Sequence, residues 1–236
     1  MQTATNELLN GFKELDSATV FNAVNESLGG WKPSSGADAL GNQPDYYTGP
    51  EMRCMLPELG CVVGYALTAE LTTNDPDSEG IPWDDYYQAI EDSEFPVIGV
   101  IKDVDSRPGR GACFGDGMAA RHLSLGAVGA MVEGSVRDLA GIRSLGFPVW
   151  GTGLVPGHGV FTMLRINVPV TVGSLRVLPG ELLIADEDGC TRIPRGLDAA
   201  EVLKAAQEIR SREEKSRALF SEPGFNMAKW KASRNR

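Results

Sequence analysis

The stretch that decides the reading runs from Gly115 to Gly153: GDGMAARHLSLGAVGAMVEGSVRDLAGIRSLGFPVWGTG. In it Asp116 is followed, after twenty residues, by the pair Arg137-Asp138. Two segments have helical spacing, Asp116–Leu125 and Asp138–Leu145, and two apolar runs read as strands, Ala127–Val132 and Phe147–Trp150, with Glu133–Arg137 as a turn. Alternation of strand and helix with short connections predicts parallel pairing. Ligands in open α/β sheets bind at the carboxyl ends of the strands. Asp116 opens one helix and Arg137-Asp138 the next. With neighbouring strands about 4.8 Å apart, the two turns would lie within about 10 Å of each other.

These residue types have a shared chemistry. A carboxylate can hold a divalent metal, a guanidinium can hold a carboxylate or enolate oxygen, and a second carboxylate can orient a water as base. Such a set suffices to break a carbon–carbon bond beside a 2-oxo acid. The preceding loop, PGRGACFG, brings glycines up to a helix start, where backbone N–H groups can turn toward an anion. Alone, that loop reads better as a plain glycine turn, and Arg137-Asp138 reads equally as a surface ion pair with Asp138 as helix cap.

Outward from this core, Phe95–Ile101 and Cys61–Leu71 read as buried strands, and Trp83–Ser93 and Ser17–Leu28 as helices. The latter has Asp16 or Ser17 as cap and Gly29-Gly30 as stop. Pro33–Pro57 is a long irregular connection and Thr72–Pro82 an acidic loop. Val168–Val172, Leu175–Leu178, Glu181–Asp186 and Gly189–Ile193 are short strands with hairpin turns, a smaller β layer. Asp198–Phe220 is a long charged helix, suited to the surface of its own chain or to a neighbouring subunit.

The chain has 236 residues, 42% hydrophobic and 23% charged, enough for one large domain with a real core. A net charge of −10 disfavours nucleic acid as a partner, since the only basic cluster is the tail from Arg210 to Arg236. No apolar run is long enough to cross a bilayer, and the first residues lack the pattern of a signal peptide. A cytoplasmic location without membrane contact is the expectation. Cys54, Cys61, Cys113 and Cys190 show no metal-binding spacing and read as reduced thiols. His122 reads as a packing residue, His158 as a loop histidine able to approach a site, and Trp83, Tyr86 and Tyr87 as core aromatics. Asp186–Gly189 resembles a calcium loop over too few positions and reads as a hairpin turn.

The quoted stretch resembles the core of the RraA-like group, whose enzymatic members are class II 4-hydroxy-4-methyl-2-oxoglutarate / 4-carboxy-4-hydroxy-2-oxoadipate aldolases. Their Asp-x20-Arg-Asp motif is reproduced by Asp116, Arg137 and Asp138 without a gap. Flanking support comes from VPVTVGSLRVLPGELLIADEDGCTRIP and from LDSATVFNAVNESLGG. The resemblance implies an α/β fold of the swivelling β/β/α kind, a mixed central sheet with flanking helices and a smaller β layer. It implies one domain: an N-terminal part (1–60), a core (61–195) and a C-terminal helix with tail (196–236). Asp138 would bind Mg²⁺ or Mn²⁺ largely through waters, Arg137 would contact the keto or enolate oxygen, and Asp116 would orient a water on the metal. Gly115, Gly117 and Met118 would hold the substrate carboxylate.

The implied activity is retro-aldol cleavage of a small anionic 2-oxo acid with release of pyruvate, with oxaloacetate decarboxylation as a side activity. The implied assembly is a homotrimer or homohexamer with sites between subunits. Glu213 and Glu214 are candidates for an acid given by a neighbour, though a solvated helix face suits them better. Asn22 stands where family members often carry Asp, and the 33–60 and 72–82 loops are long, so substrate choice is open. Two other readings stand beside this one: a non-catalytic regulator of an RNA-processing endonuclease, and a lyase acting on a sugar-derived acid.

Overall fold

The computed structural model describes residues 6–29 and 46–234; Gly30 and the first part of the 33–57 connection lie outside the described residues. The framework is a nine-stranded mixed sheet. Its parallel centre holds β2 (Val62–Thr72), β3 (Val97–Asp103), β5 (Ala127–Val136) and β6 (Val149–Leu154). Antiparallel strands extend it: β1 (Arg53–Cys54) on β6, β7 (Thr162–Ile166) on β2, and the hairpin of β10 (Leu182–Asp186) and β11 (Gly189–Ile193), which joins β2 through β10. A separate hairpin of β8 (Val170–Val172) and β9 (Leu175–Val177) forms the smaller layer. The expected fold class is therefore found: mixed sheet, flanking helices, small second sheet.

Each face of the sheet is covered by a different partner. On one, Val170, Val172, Leu175 and Val177 of the small hairpin pack on Val62, Ala66, Ile98, Val100, Met131 and Trp150. Full burial stabilises each large side chain by roughly 1.5–3 kcal/mol. Trp150 also satisfies its one polar atom, donating from Nε1 to the carbonyl of Asp186 at 2.7 Å. The other face carries α3 (Trp83–Glu91), α4 (Asp116–Ser124) and α5 (Leu139–Leu145) over Leu67, Ala69, Ile101, Ala130, Val132 and Val136. At the β10–β11 end, α1 (Asn6–Lys13), α2 (Ser17–Ser27) and α6 (Ala199–Phe220) enclose Val63, Leu182, Ile184 and Ile193. A last helix, α7 (Met227–Arg234), follows a tight turn.

Local chemistry explains the ends of these elements. Asp16 caps α2 by accepting from the Thr19 amide at 2.6 Å, and Asp198 caps α6 through Ala200 at 2.8 Å. The Asp186–Gly189 turn is the β10–β11 hairpin turn. The Asp186 carboxylate there accepts from Ser17 N and Oγ (2.6 and 2.7 Å) and from Asp188 N (3.0 Å).

Three readings around the central stretch are corrected. A short strand, β4 (Ala112–Phe114), lies inside the segment read as the loop PGRGACFG. It pairs in parallel with β5, Ala112 against Ser135 and Phe114 against Val136. The segment Glu133–Arg137 is not a turn: β5 runs on through Val136, because β4 and β6 flank its final residues on both sides. Its polar residues find partners in the neighbouring strand and in loops packed beside it. Glu133 pairs with Lys102 and accepts from Gly173 N at 2.8 Å, and Ser135 donates to the Gly109 carbonyl at 2.7 Å. The helix after it begins at Leu139, not Asp138.

A carboxylate–guanidinium notch as candidate active site

Parallel pairing of β4 with β5 brings the two predicted turns side by side. Phe114 and Val136 are register partners, and the Arg137 amide donates to the Phe114 carbonyl at 2.9 Å. The next residues on each chain, Gly115-Asp116 and Arg137-Asp138, therefore leave the sheet together. Asp138 sits at the cap position of α5 with φ 57°, a left-handed conformation that aspartate tolerates better than most residues. Its side chain makes no capping bond. It turns toward Arg137 instead, Oδ2 lying 3.2 Å from Nε. Both side chains stay partly open to solvent, 33% for Arg137 and 39% for Asp138.

Two glycines allow the acids to approach. A Cβ at Gly115 would stand 2.9 Å from Asp138 Oδ2 and 3.4 Å from Arg137 Nε. A Cβ at Gly141, in α5, would fall on the Asp116 carboxylate and lie 2.8 Å from the Cβ of Asp116. Contacts below 3.0 Å are not sustained by real Cβ atoms. So each acid is seated against the bare backbone of the segment that bears the other. The sequence reading named Asp116, Gly115, Arg137 and Asp138 but missed Gly141. A glycine inside a seven-residue helix was the available signal, since it weakens the helix unless close approach requires it.

The glycine-rich start of α4 is only partly available. Met118 and Ala119 both donate to the Gly115 carbonyl, at 3.1 and 3.0 Å. Gly117 lies exposed in the first turn, where helix geometry supplies no acceptor for its amide. Of the two amides expected to hold a carboxylate, that of Gly117 is the freer.

His122 is a core residue. Its Nδ1–H donates to the Met118 carbonyl at 2.8 Å and its Nε2 accepts the Tyr86 hydroxyl at 2.9 Å. Burial lowers its pKa to about 4, so the ring is neutral at ordinary pH. Tyr86, Tyr87, Phe114 and Phe147 pack around it, which places the α3 aromatics in the core as read. His158 is exposed, bonds the Gly159 carbonyl at 2.8 Å and stacks on Phe161. Its loop reaches β4, Ala112 N donating to the Gly157 carbonyl at 2.8 Å. Glu213 and Glu214 lie on α6 as charge partners of Arg217 and Arg210. The four cysteines are free, and burial pushes the Cys61, Cys113 and Cys190 thiols well above the usual range.

Among the described residues no three His, Cys, Asp or Glu side chains converge as a ready-made metal cage. The notch offers two hard carboxylates instead, both open to water. That donor set fits Mg²⁺ or Mn²⁺, which keep several waters and take one or two carboxylates, and it suits zinc poorly. Two hollows lie elsewhere on the chain. One of about 490 Å³ is lined by α2 and α6, and one of about 240 Å³ lies beside Asp16 and Asp186. No helix among the described residues is long and apolar enough to cross a membrane.

The architecture is thus that of an α/β protein with an open, acid-lined edge site. The RraA-like family profile (Aldolase/RraA) matches residues 35–192, and the chain belongs to that family. Over 91 residues it is 32% identical to a 4-hydroxy-4-methyl-2-oxoglutarate aldolase of Thermus thermophilus, spanning 36% of this chain and 52% of that one. A Halalkalibacterium halodurans protein provisionally given the same name is 32% identical over 109 residues, 46% of this chain. The chain spans about half the length of these relatives, 52% in both. In fold it is similar to RraAS2 of Streptomyces coelicolor, described as an unusual member of the RNase ES inhibitor RraA family. The TM-score is 0.70 at 24% identity, covering 92% of this chain and 98% of that one. An uncharacterized protein of Pseudomonas syringae pv. tomato gives 0.73 at 19% identity, over 98% and 96%.

Proposed function

We propose that the chain is a divalent-metal-dependent lyase that cleaves a 4-hydroxy-2-oxo acid of the 4-hydroxy-4-methyl-2-oxoglutarate type and releases pyruvate. The observation that supports this reading is the placement of Asp138 beside Arg137 and Gly115 on one turn, with Asp116, which follows Gly115, lying against Gly141 of the helix after Asp138. The names of the sequence relatives agree with it. Asp138 would hold the cation, Mg²⁺ or Mn²⁺. When bound, the cation supplies Lewis-acid stabilisation of the oxygen that becomes negative as the bond breaks.

The chain's own groups do the rest. The amide of Gly117, beside Gly115 and Met118, receives the carboxylate next to the keto group. Arg137 presents fixed positive charge to the keto oxygen, and needs no reorganisation as negative charge builds there. Asp116 orients the water that takes the proton from the C4 hydroxyl. The C3–C4 electron pair passes into the enolate, C4 becomes a carbonyl, and the proton returns to C3 to complete pyruvate. Oxaloacetate decarboxylation passes through the same enolate and is the expected side activity. The notch is open in the single chain, which suits a site completed by a neighbouring copy in a homotrimer or homohexamer.

The test is pyruvate release from a panel of hydroxylated 2-oxo acids and from oxaloacetate, with Mg²⁺, with Mn²⁺ and with a chelator. Chelator-sensitive turnover is expected. Turnover confined to sugar-derived acids would redirect the substrate class. No turnover of any 2-oxo acid, together with tight binding to an RNA-processing endonuclease, would favour the regulator.

A further inference from the structure

The proposed reaction leaves one end of its substrate without a partner. A 2-oxo acid of the glutarate type carries two carboxylates. The Gly117 amide receives the one beside the keto group and Arg137 meets the keto oxygen, so the C5 carboxylate needs a cation of its own. Much of this chain would repel it, since the net charge is −10. Among the described residues seven arginines are already bound to carboxylates in ion pairs. Arg107 and Arg110 form none there, although two aspartates share their loop.

Both arginines stand on one β-turn, Arg107-Pro108-Gly109-Arg110. It closes through the Arg110 amide, which donates to the Arg107 carbonyl at 3.2 Å. Proline in second place and Gly109 at φ 75° in third are the pattern of a type II turn. The ends of such a turn lie within about 7 Å of each other, so the two guanidiniums spring from neighbouring points. The aspartates of the loop are turned to backbone instead. Asp103 accepts from the Gly109 amide and Asp105 from the Arg107 amide, both at 2.9 Å. The turn is thereby pinned while both arginines stay exposed. Like charges so placed repel each other, and an anion shared between them removes the repulsion.

The turn is fastened to the strand that carries the notch. The Gly109 carbonyl accepts from Ser135 Oγ at 2.7 Å. Ser135 precedes Arg137 by two residues, roughly 7 Å along the chain of β5. Arg110 also leads directly into β4, whose far end opens as Gly115-Asp116. Beside β4 lies the loop 155–161: His158 bridges Ala112, and a Cβ at Gly111 would stand 2.7 Å from the Gly159 nitrogen. Neither that loop nor the turn contains an acid. We propose that Arg107 and Arg110 hold the C5 carboxylate of the substrate, a specificity subsite that rests on the lyase reading above. The planar fork of arginine suits a carboxylate bidentately. The subsite selects 2-oxo dicarboxylates over 2-oxo monocarboxylates and takes no part in the bond cleavage.

The test reads binding as well as turnover, on the full chain with Mg²⁺ present. Calorimetric affinities are compared for 2-oxoglutarate and for 2-oxopentanoate, the same carbon chain without the distal charge. Wild type is expected to favour 2-oxoglutarate by about tenfold or more, the scale of one hydrogen bond to a charged group. R107Q/R110Q is expected to lose that preference and to keep its affinity for 2-oxopentanoate. Equal affinities in wild type, binding of neither acid, or a preference that survives in R107Q/R110Q overturns the subsite. Should the variant not fold, mass spectrometry of phenylglyoxal-treated wild type decides. Protection of Arg107 and Arg110 by 2-oxoglutarate but not by 2-oxopentanoate supports the subsite, and equal modification with either acid overturns it. The two readings fail separately. Pyruvate release by a wild type without the preference keeps the lyase and removes the subsite. A preference that R107Q/R110Q abolishes, in a chain that releases no pyruvate, keeps the subsite and removes the lyase.

Discussion

Four aspartates crowd the carboxyl edge of the parallel strands, and they form two pairs with opposite surroundings. Asp103 and Asp105, at the end of β3, are consumed. Asp103 accepts from Asp105 N (3.0 Å), Gly109 N (2.9 Å) and Thr73 Oγ1 (3.3 Å). Asp105 accepts from Thr72 Oγ1 (2.6 Å) and from the amides of Asn74 and Arg107 (both 2.9 Å). The Asp116 carboxylate has no hydrogen-bond or ion-pair partner among the described residues, and that of Asp138 has only Arg137. A carboxylate saturated by backbone donors holds a loop in shape. One left open beside a guanidinium, against a bare glycine, is free to meet a metal or a proton.

The comparison breaks first at the notch. Asp138→Ala and Arg137→Ala are each expected to lower metal-dependent pyruvate release by about 100-fold or more, the scale for removing one preorganised stabilising group. They separate by calorimetric metal titration: the first loses Mg²⁺ or Mn²⁺ binding and the second keeps it. Wild-type rates in either variant would remove the notch from consideration.

A finer test leaves every charged group in place. Gly141→Ala puts a methyl where the Asp116 carboxylate lies. Alanine is the better helix former by about 1 kcal/mol, which offsets part of the cost of shifting Asp116 away from the new methyl, so the melting temperature should hold or fall slightly. Turnover should fall by roughly 10- to 100-fold, because displacement of a reacting group by about 1 Å costs that much. Loss of stability without loss of rate would mean that Gly141 serves packing alone.

How much of this was legible differs between the two pairs. The notch was readable because Asp116 and Arg137-Asp138 each open a helix after a strand, and parallel pairing then aligns them whatever the rest of the sheet does. Boundaries were harder. The β4 residues Ala112, Cys113 and Phe114 are too few, and too closely flanked by glycines, to show a period. Glu133-Gly134-Ser135 has the composition of a turn, and becomes strand only because Lys102, Gly173 and Gly109 satisfy its polar groups. Gly141 could not be matched to Asp116 from sequence, since the pairing exists only across two helices. Nor could the saturation of Asp103 and Asp105 be seen, because their donors Thr72, Thr73 and Asn74 lie some thirty residues upstream.

The saturated pair supplies the smallest expected effect on rate and a distinctive effect of pH. Donation by the Thr72 hydroxyl and by the Arg107 and Asn74 amides lowers the Asp105 pKa from 3.8 to about 2. A depressed carboxylate contributes stability that is fully present above its unfolded pKa, near 4, and is lost as pH falls through the folded value near 2. Asp105→Asn keeps the shape but gives up the charge-assisted bonds. Its melting temperature should fall below wild type at pH 7, and the gap should close between about pH 4 and pH 2 as the wild-type carboxylate takes up its proton. Turnover per folded molecule should stay within about twofold of wild type, since the group touches nothing in the notch. A gap that persists unchanged at pH 2 would show that the amide fails there for reasons of shape. A large loss of rate in a well-folded variant would mean that loop 103–111 sets the position of β4, and with it Asp116, and the two pairs would then act as one unit.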